Sequence, residues 1–220
     1  MSSKMPRLMT QEARYGVRLG YILFPIEFRD LRQSLAKNGY ELSAIGDLPA
    51  PPARIGFGGE IARKGEVRVI CESDSGEIGT VGRTLQGAHA SFDELSSIIQ
   101  TELGVNLHEN VRFYWMISHY KADSGKMPYK EICKTGNGKF IKEFSEILGE
   151  NVSAFSVRLS PAATIINQEN WLDIAIEPDV INEKLYHIGV VFRNASREKT
   201  EEFAKNIEKN LIKLISTIEA

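Results

Sequence analysis

The sequence predicts an α+β fold: one or two curved antiparallel sheets, covered on one side by helices. Three observations predict it. Segments alternating apolar and polar residues follow one another across short glycine turns, as antiparallel neighbours require. Segments of helical period, with Leu, Ile and Phe on one stripe, stand between those groups. The order strand, helix, antiparallel meander, helix also runs twice, once over residues 1–104 and again over 105–220, where it ends in a long C-terminal helix.

Taken in order, Tyr15, Val17, Leu19, Tyr21 and Leu23 alternate with Gly16, Arg18 and Gly20, so residues 15–24 read as a strand. Pro25 stands where a helix tolerates proline, Phe28, Leu31 and Leu35 form its stripe, and Asn38-Gly39 supplies a left-handed stop. A short strand near 40–45 leads to the Pro49-Ala50-Pro51-Pro52 break. Strands at 54–62, 66–73 and 77–83 follow, joined by turns at Gly65 and Gly76. Ser91-Phe92-Asp93-Glu94 has the form of a capping box and predicts a helix that stops at Gly104.

The second half opens with a strand at 111–121, in which Val111, Phe113, Trp115 and Ile117 form the apolar face. An irregular stretch with Gly125, Pro128, Gly136 and Gly138 precedes a helix carrying Phe140, Phe144, Ile147 and Leu148, ended by Gly149. Strands at 152–160, 171–177 and 185–193 follow. A final helix from about Ser196 bears Phe203, Ile207, Leu211, Leu214, Ile215 and Ile218 on one stripe.

The order of elements resembles the TATA-binding-protein-like and helix-grip topologies, in which helices cover one side of a curved antiparallel sheet. The resemblance spans most of residues 15–219 and lies in element order alone. It implies a fold and not a function.

Composition excludes several classes. The net charge is −2 and 25% of residues are charged, with neither half basic, so the excess that drives non-specific duplex binding is absent overall. Cys71 and Cys133 form no CxxC pair. His89, His108, His119 and His187 fall at no ligand spacing with a cysteine, so neither a metal nor a cofactor is expected. The polar N-terminus lacks a signal-peptide core, and Tyr21-Ile22-Leu23-Phe24 is too short to span a bilayer, so the expectation is a cytoplasmic protein without a membrane.

Two glycine-bearing segments suggest nucleotide loops and fail as such. Ile55-Gly56-Phe57-Gly58-Gly59-Glu60 lacks the G-x-G-x-x-G spacing and lies within a strand. In Thr135-Gly136-Asn137-Gly138-Lys139, Cys133 replaces the first phosphate-loop glycine and Phe140 the hydroxyl residue. His119-Tyr120-Lys121 ends a strand with nothing to orient it.

The distribution of arginine points further. Opposite the apolar strand faces lie Arg18, Arg54, Glu60, Arg68 and Glu72 in the first half. In the second lie Arg112, Tyr114, Ser156, Arg158, Asp173, Glu177, His187 and Arg193. Guanidinium forks suit carboxylate and phosphate. Arg112, Arg158 and Arg193 would therefore bind charge, Tyr114 would stack, and Asp173 with His187 would orient. The expected function is a binding protein for an anionic small molecule or single-stranded nucleic acid. Against it stands a solvated sheet of cross-strand ion pairs. Two further readings are an enzyme on a phosphorylated or carboxylated small molecule, with His187 or His119 as acid–base, and a structural homo-oligomer subunit. The catalytic residues of such an enzyme are unknown from sequence.

Overall fold

The computed structural model describes residues 5–44, 58–135, 139–162 and 169–220. The chain runs β1 (Arg7–Leu19), α1 (Phe28–Lys37), β2 (Glu41–Leu42), β3 (Gly58–Lys64), β4 (Val67–Glu72), β5 (Glu77–Gly82) and α2 (Leu85–Leu103). It continues through β6 (Val111–Asp123), α3 (Pro128–Thr135), α4 (Lys139–Leu148), β7 (Val157–Leu159), β8 (Trp171–Pro178), β9 (Tyr186–Asn194) and α5 (Arg197–Ile218). The strands form one antiparallel sheet in the order β2-β3-β4-β5-β1-β6-β9-β8-β7, which does not close. The fold is therefore α+β, and no described helix is long and apolar enough to cross a membrane.

One face of the sheet builds the core. Tyr15 and Val17 of β1, Met116 and Tyr120 of β6, and Ile188 and Val190 of β9 pack with Leu31 and Leu35 of α1, Phe92, Leu95 and Ile99 of α2, and Ile207 and Leu211 of α5. Each aliphatic, Met or Phe side chain among these contributes about 1.5–3 kcal/mol on leaving water. Helix α2 lies over β1 and β5, and α5 lies over β6 and β9. Side chains at the alternate strand positions point to the opposite face, which is where the candidate site lies.

Several elements differ from expectation. β1 begins at Arg7, because the polar stretch 7–14 pairs with β6 through Leu8–Ala122 and Arg14–Ile117. It ends at Leu19, so Tyr21 and Leu23 lie outside it and are exposed. Pro25 precedes the N-cap, Glu27, and α1 opens at Phe28. α2 starts at Leu85, where Thr84 accepts a hydrogen bond from the Gly87 N–H, leaving Ser91 and Glu94 within the helix. A capping-box spacing is also the spacing of neighbours on a helix surface, so it does not by itself mark a start. The expected irregular stretch holds α3, opened by Pro128, and the strand expected at 152–160 shortens to Val157–Leu159. The break at 49–52, the strand start at 54–57 and residues 136–138 of the glycine-bearing loop lie outside the described residues.

One local irregularity decides a whole strand face. Between β1 and β6, Arg18 pairs with Phe113 but Leu19 pairs with Val111, so Arg112 is the extra residue of a β-bulge. Val111 thus joins the core, while Phe113, Trp115 and Ile117 turn to the opposite side. Tyr114, Met116 and Tyr120 take the core positions instead. The alternation Val111, Phe113, Trp115, Ile117 was expected to be the core face. It belongs to the core only at Val111, because one inserted residue inverts the period of two.

Candidate functional site

The candidate site lies on the sheet face away from the core, where β1, β5, β6 and β9 meet. Register brings it together: Arg18 stands opposite Glu77 on one side and Phe113 on the other, and Trp115 stands opposite Gly16 and Arg193. Phe113 is 2% exposed and Trp115 is 5% exposed. The Trp115 indole lies against Gly16 and Gly79, whose missing side chains leave the space it occupies. Guanidinium groups stand over Phe113, that of Arg18 at 5.7 Å and that of Arg193 at 5.3 Å from the ring centroid.

These two arginines differ from their neighbours in what they lack. On the same face Arg14 and Arg68 both pair with Glu12, and Arg158 pairs with Asp173. Among the described residues, neither Arg18 nor Arg193 has a carboxylate within 4.0 Å. The Arg18 Nε and Trp115 Nε1 donors are buried without a hydrogen-bond partner. Donors stripped of water and left unpaired are costly.

Glu77 carries a negative charge that both arginines act on. Burial raises its carboxyl above the ordinary value, the fields of Arg193 and Arg18 oppose that rise, and Glu72 adds to it. Burial prevails. The two arginines are thus felt at Glu77 but do not fully compensate it. A polar cavity of about 110 Å³ adjoins the site, lined by Arg18, Gly20, Ser73, Ser75, Gly76 and Arg112 among others. The bulge aims Arg112 there, and its other contact is a 3.4 Å pairing with Glu169 between two half-exposed side chains.

The expected site residues are only partly brought together. Arg112 and Arg193 belong to this region. Arg158 and Asp173 face the same side but satisfy each other through two hydrogen bonds, of 2.8 Å and 2.5 Å, beside the sheet edge. His187 lies further along β9, opposite Lys121 and Glu177, with its ring 5.7 Å from that of His119. Burial and then the neighbouring His187 lower the His119 value.

Tyr114 is a correction. It is 6% exposed, belongs to the core, and its hydroxyl lies 3.2 Å from His108 Nδ1, so it is not a stacking group on the arginine face. The bulge at Arg112 is the cause. Arg18 was legible as a residue of this face. Its lack of a partner, and the aromatic rings beneath the arginines, were not, because both depend on which strands lie side by side. Among the described residues, no group of three or more His, Cys, Asp or Glu could hold a metal ion. No protein-family model matches the chain, and a search of curated proteins finds no significant match, so the site itself carries the functional argument.

Proposed function

We propose that the protein is a binding protein that holds the anionic group of a small molecule on the sheet face away from the core, between Arg18, Arg112 and Arg193. The observation that carries this reading is the pair of arginines over Phe113 without a carboxylate partner among the described residues, one with a buried, unpaired Nε. An oxyanion would satisfy those donors, and the adjoining cavity of about 110 Å³ suits a phosphate-sized group. A small anion is favoured over single-stranded nucleic acid by the state of the aromatics. Phe113 and Trp115 are buried and Tyr114 faces the core, so none of the three offers a ring face for base stacking.

Glu77 would act as an opposing charge that anion binding must overcome. Its raised carboxyl takes up a proton more readily as pH falls, so affinity should rise on acidification.

The frame of the reading is two similar halves, 1–104 and 105–220, in a TATA-binding-protein-like arrangement. What supports it is the strand order: each half places its first strand, β1 or β6, at the centre, beside its last, β5 or β9. The deciding experiment is calorimetric titration with inorganic phosphate and pyrophosphate at low salt. Arg18→Ala and Arg193→Ala should each weaken binding about tenfold, as loss of a charge-assisted hydrogen bond does. Undiminished affinity in both variants refutes the site. Binding of oligothymidylate that strengthens with its length, without phosphate binding, would assign the face to nucleic acid instead.

A further inference from the structure

On the core side of the sheet, α2 and α5 enclose a second polar cluster built around Arg197. Its Nε donates to Glu201 Oε1 at 2.5 Å and its Nη2 to Asp93 Oδ1 at 2.8 Å, while Nη1 donates to His108 Nε2 at 3.1 Å. His108 Nε2 also accepts from Ser96 Oγ at 3.2 Å, which leaves the proton on Nδ1 for the Tyr114 hydroxyl. His108 is therefore a neutral, fully engaged imidazole, and burial followed by the Arg197 charge lowers its value accordingly. This part of the cluster is closed.

His89 is not. Its Nε2 lies 3.0 Å from Glu201 Oε1 and 3.3 Å from Arg197 Nη2. Arg197 Nη2 has two N–H groups, one for Asp93 and one for His89 Nε2, so on this ring the nitrogen left over is Nδ1. Among the described residues that Nδ1 has no partner. Next to it Tyr15 presents its ring at right angles to His89, centroids 4.6 Å apart. Tyr15 is 1% exposed and its hydroxyl is buried without any hydrogen-bond partner.

Both residues line a cavity of about 230 Å³, together with Leu85, Gln86, Glu201, Ala204 and Lys205. Its wall is apolar at Leu85, Ala204 and the Tyr15 ring. Its charges balance, because the cations Arg197 and Lys205 face the two carboxylates Asp93 and Glu201. A ligand hydroxyl is the group that completes both atoms at once, because it donates and accepts, as does the Tyr15 hydroxyl, and so matches His89 Nδ1 in either tautomer. We propose that this cavity binds a small uncharged molecule with an apolar body of ring size and a hydroxyl head held by Tyr15 and His89.

Phenol and toluene are the probes, since they differ only in that hydroxyl. Titrated into the full chain and followed by ¹H–¹⁵N chemical shifts, phenol should saturate with a Kd at least about tenfold below that of toluene, the worth of one hydrogen bond to an otherwise unpaired buried group. Tyr15→Phe should remove that advantage and leave toluene unaffected. It should also raise Tm, because the free protein loses an unpaired hydroxyl and no bond. The proposal is overturned if phenol and toluene bind alike, if Tyr15→Phe leaves phenol affinity unchanged, or if phenol shows no saturable binding.

Discussion

At the residue scale, a Cβ added to Gly79 would lie 2.5 Å from the Tyr15 carbonyl oxygen and 2.8 Å from the Trp115 indole, and one at Gly16 2.4 Å from the Ile78 carbonyl oxygen. Backbone atoms in paired central strands cannot retreat as a flexible side chain would. Gly79→Ala should therefore destabilise the protein by about 1–3 kcal/mol, the cost of overpacking a filled site, read as a lower denaturant midpoint at unchanged slope. Glu77 gives a pH-dependent counterpart. Its carboxyl is raised in the folded state, so the stability it contributes is complete below the ordinary carboxylate value and is lost as pH rises through the folded one. Glu77→Gln should consequently stabilise the protein at neutral pH and make no difference in acid below about pH 4. A gain that is the same across the whole pH range would show that charge is not the cause. Neither effect is visible in the sequence. Gly16 reads as an alternating small residue, and only the strand across from it reveals the indole it accommodates.

At the element scale, helix starts and bulges determine which side chains reach which face. Thr84 caps α2 by accepting from the Gly87 N–H at 3.0 Å, and the last turn of the helix closes on left-handed Gly104. Thr84→Ala should cost about 1 kcal/mol, measurable by chemical denaturation. α4 stands at the other extreme. Phe140, Phe144, Ile147 and Leu148 are exposed along it, whereas Phe92, Leu95 and Ile99 of α2 are fully buried. Its amides should exchange with solvent far faster than those of α2, and protection comparable to that of α2 would contradict the packing described here. The periodicity of both helices was legible because a helical stripe is local. The bulge at Arg112 was not, because an extra residue is defined only against a partner strand, here β1.

At the scale of the whole molecule, β1 and β6 are the first strands of the two halves, and they pair with each other along almost their full length. The core likewise runs without interruption from Leu31 and Leu35 of α1 to Ile207 and Leu211 of α5. Splitting the halves would expose two central strand edges and divide one core. The protein should therefore unfold in a single cooperative transition, with the fluorescence of Trp115 and Trp171 and the far-UV dichroism coinciding. Two separated transitions would mean that the halves are independent folding units.

The sequence alone determined the α+β class, the long helices and the membership of most strands, because apolar period is set by residues near one another in the chain. It also placed arginine opposite the apolar stripes of β1 and β9. Only the tertiary structure decided which of those arginines lack a carboxylate contact among the described residues. Arg158 finds Asp173 across β7 and β8, and Arg68 finds Glu12 across β4 and β1. Arg18 and Arg193 instead meet over Phe113. Pairing between charges depends on strand order and register, and these are settled by contacts distant in sequence, as is the inversion of β6 that moved Tyr114 into the core.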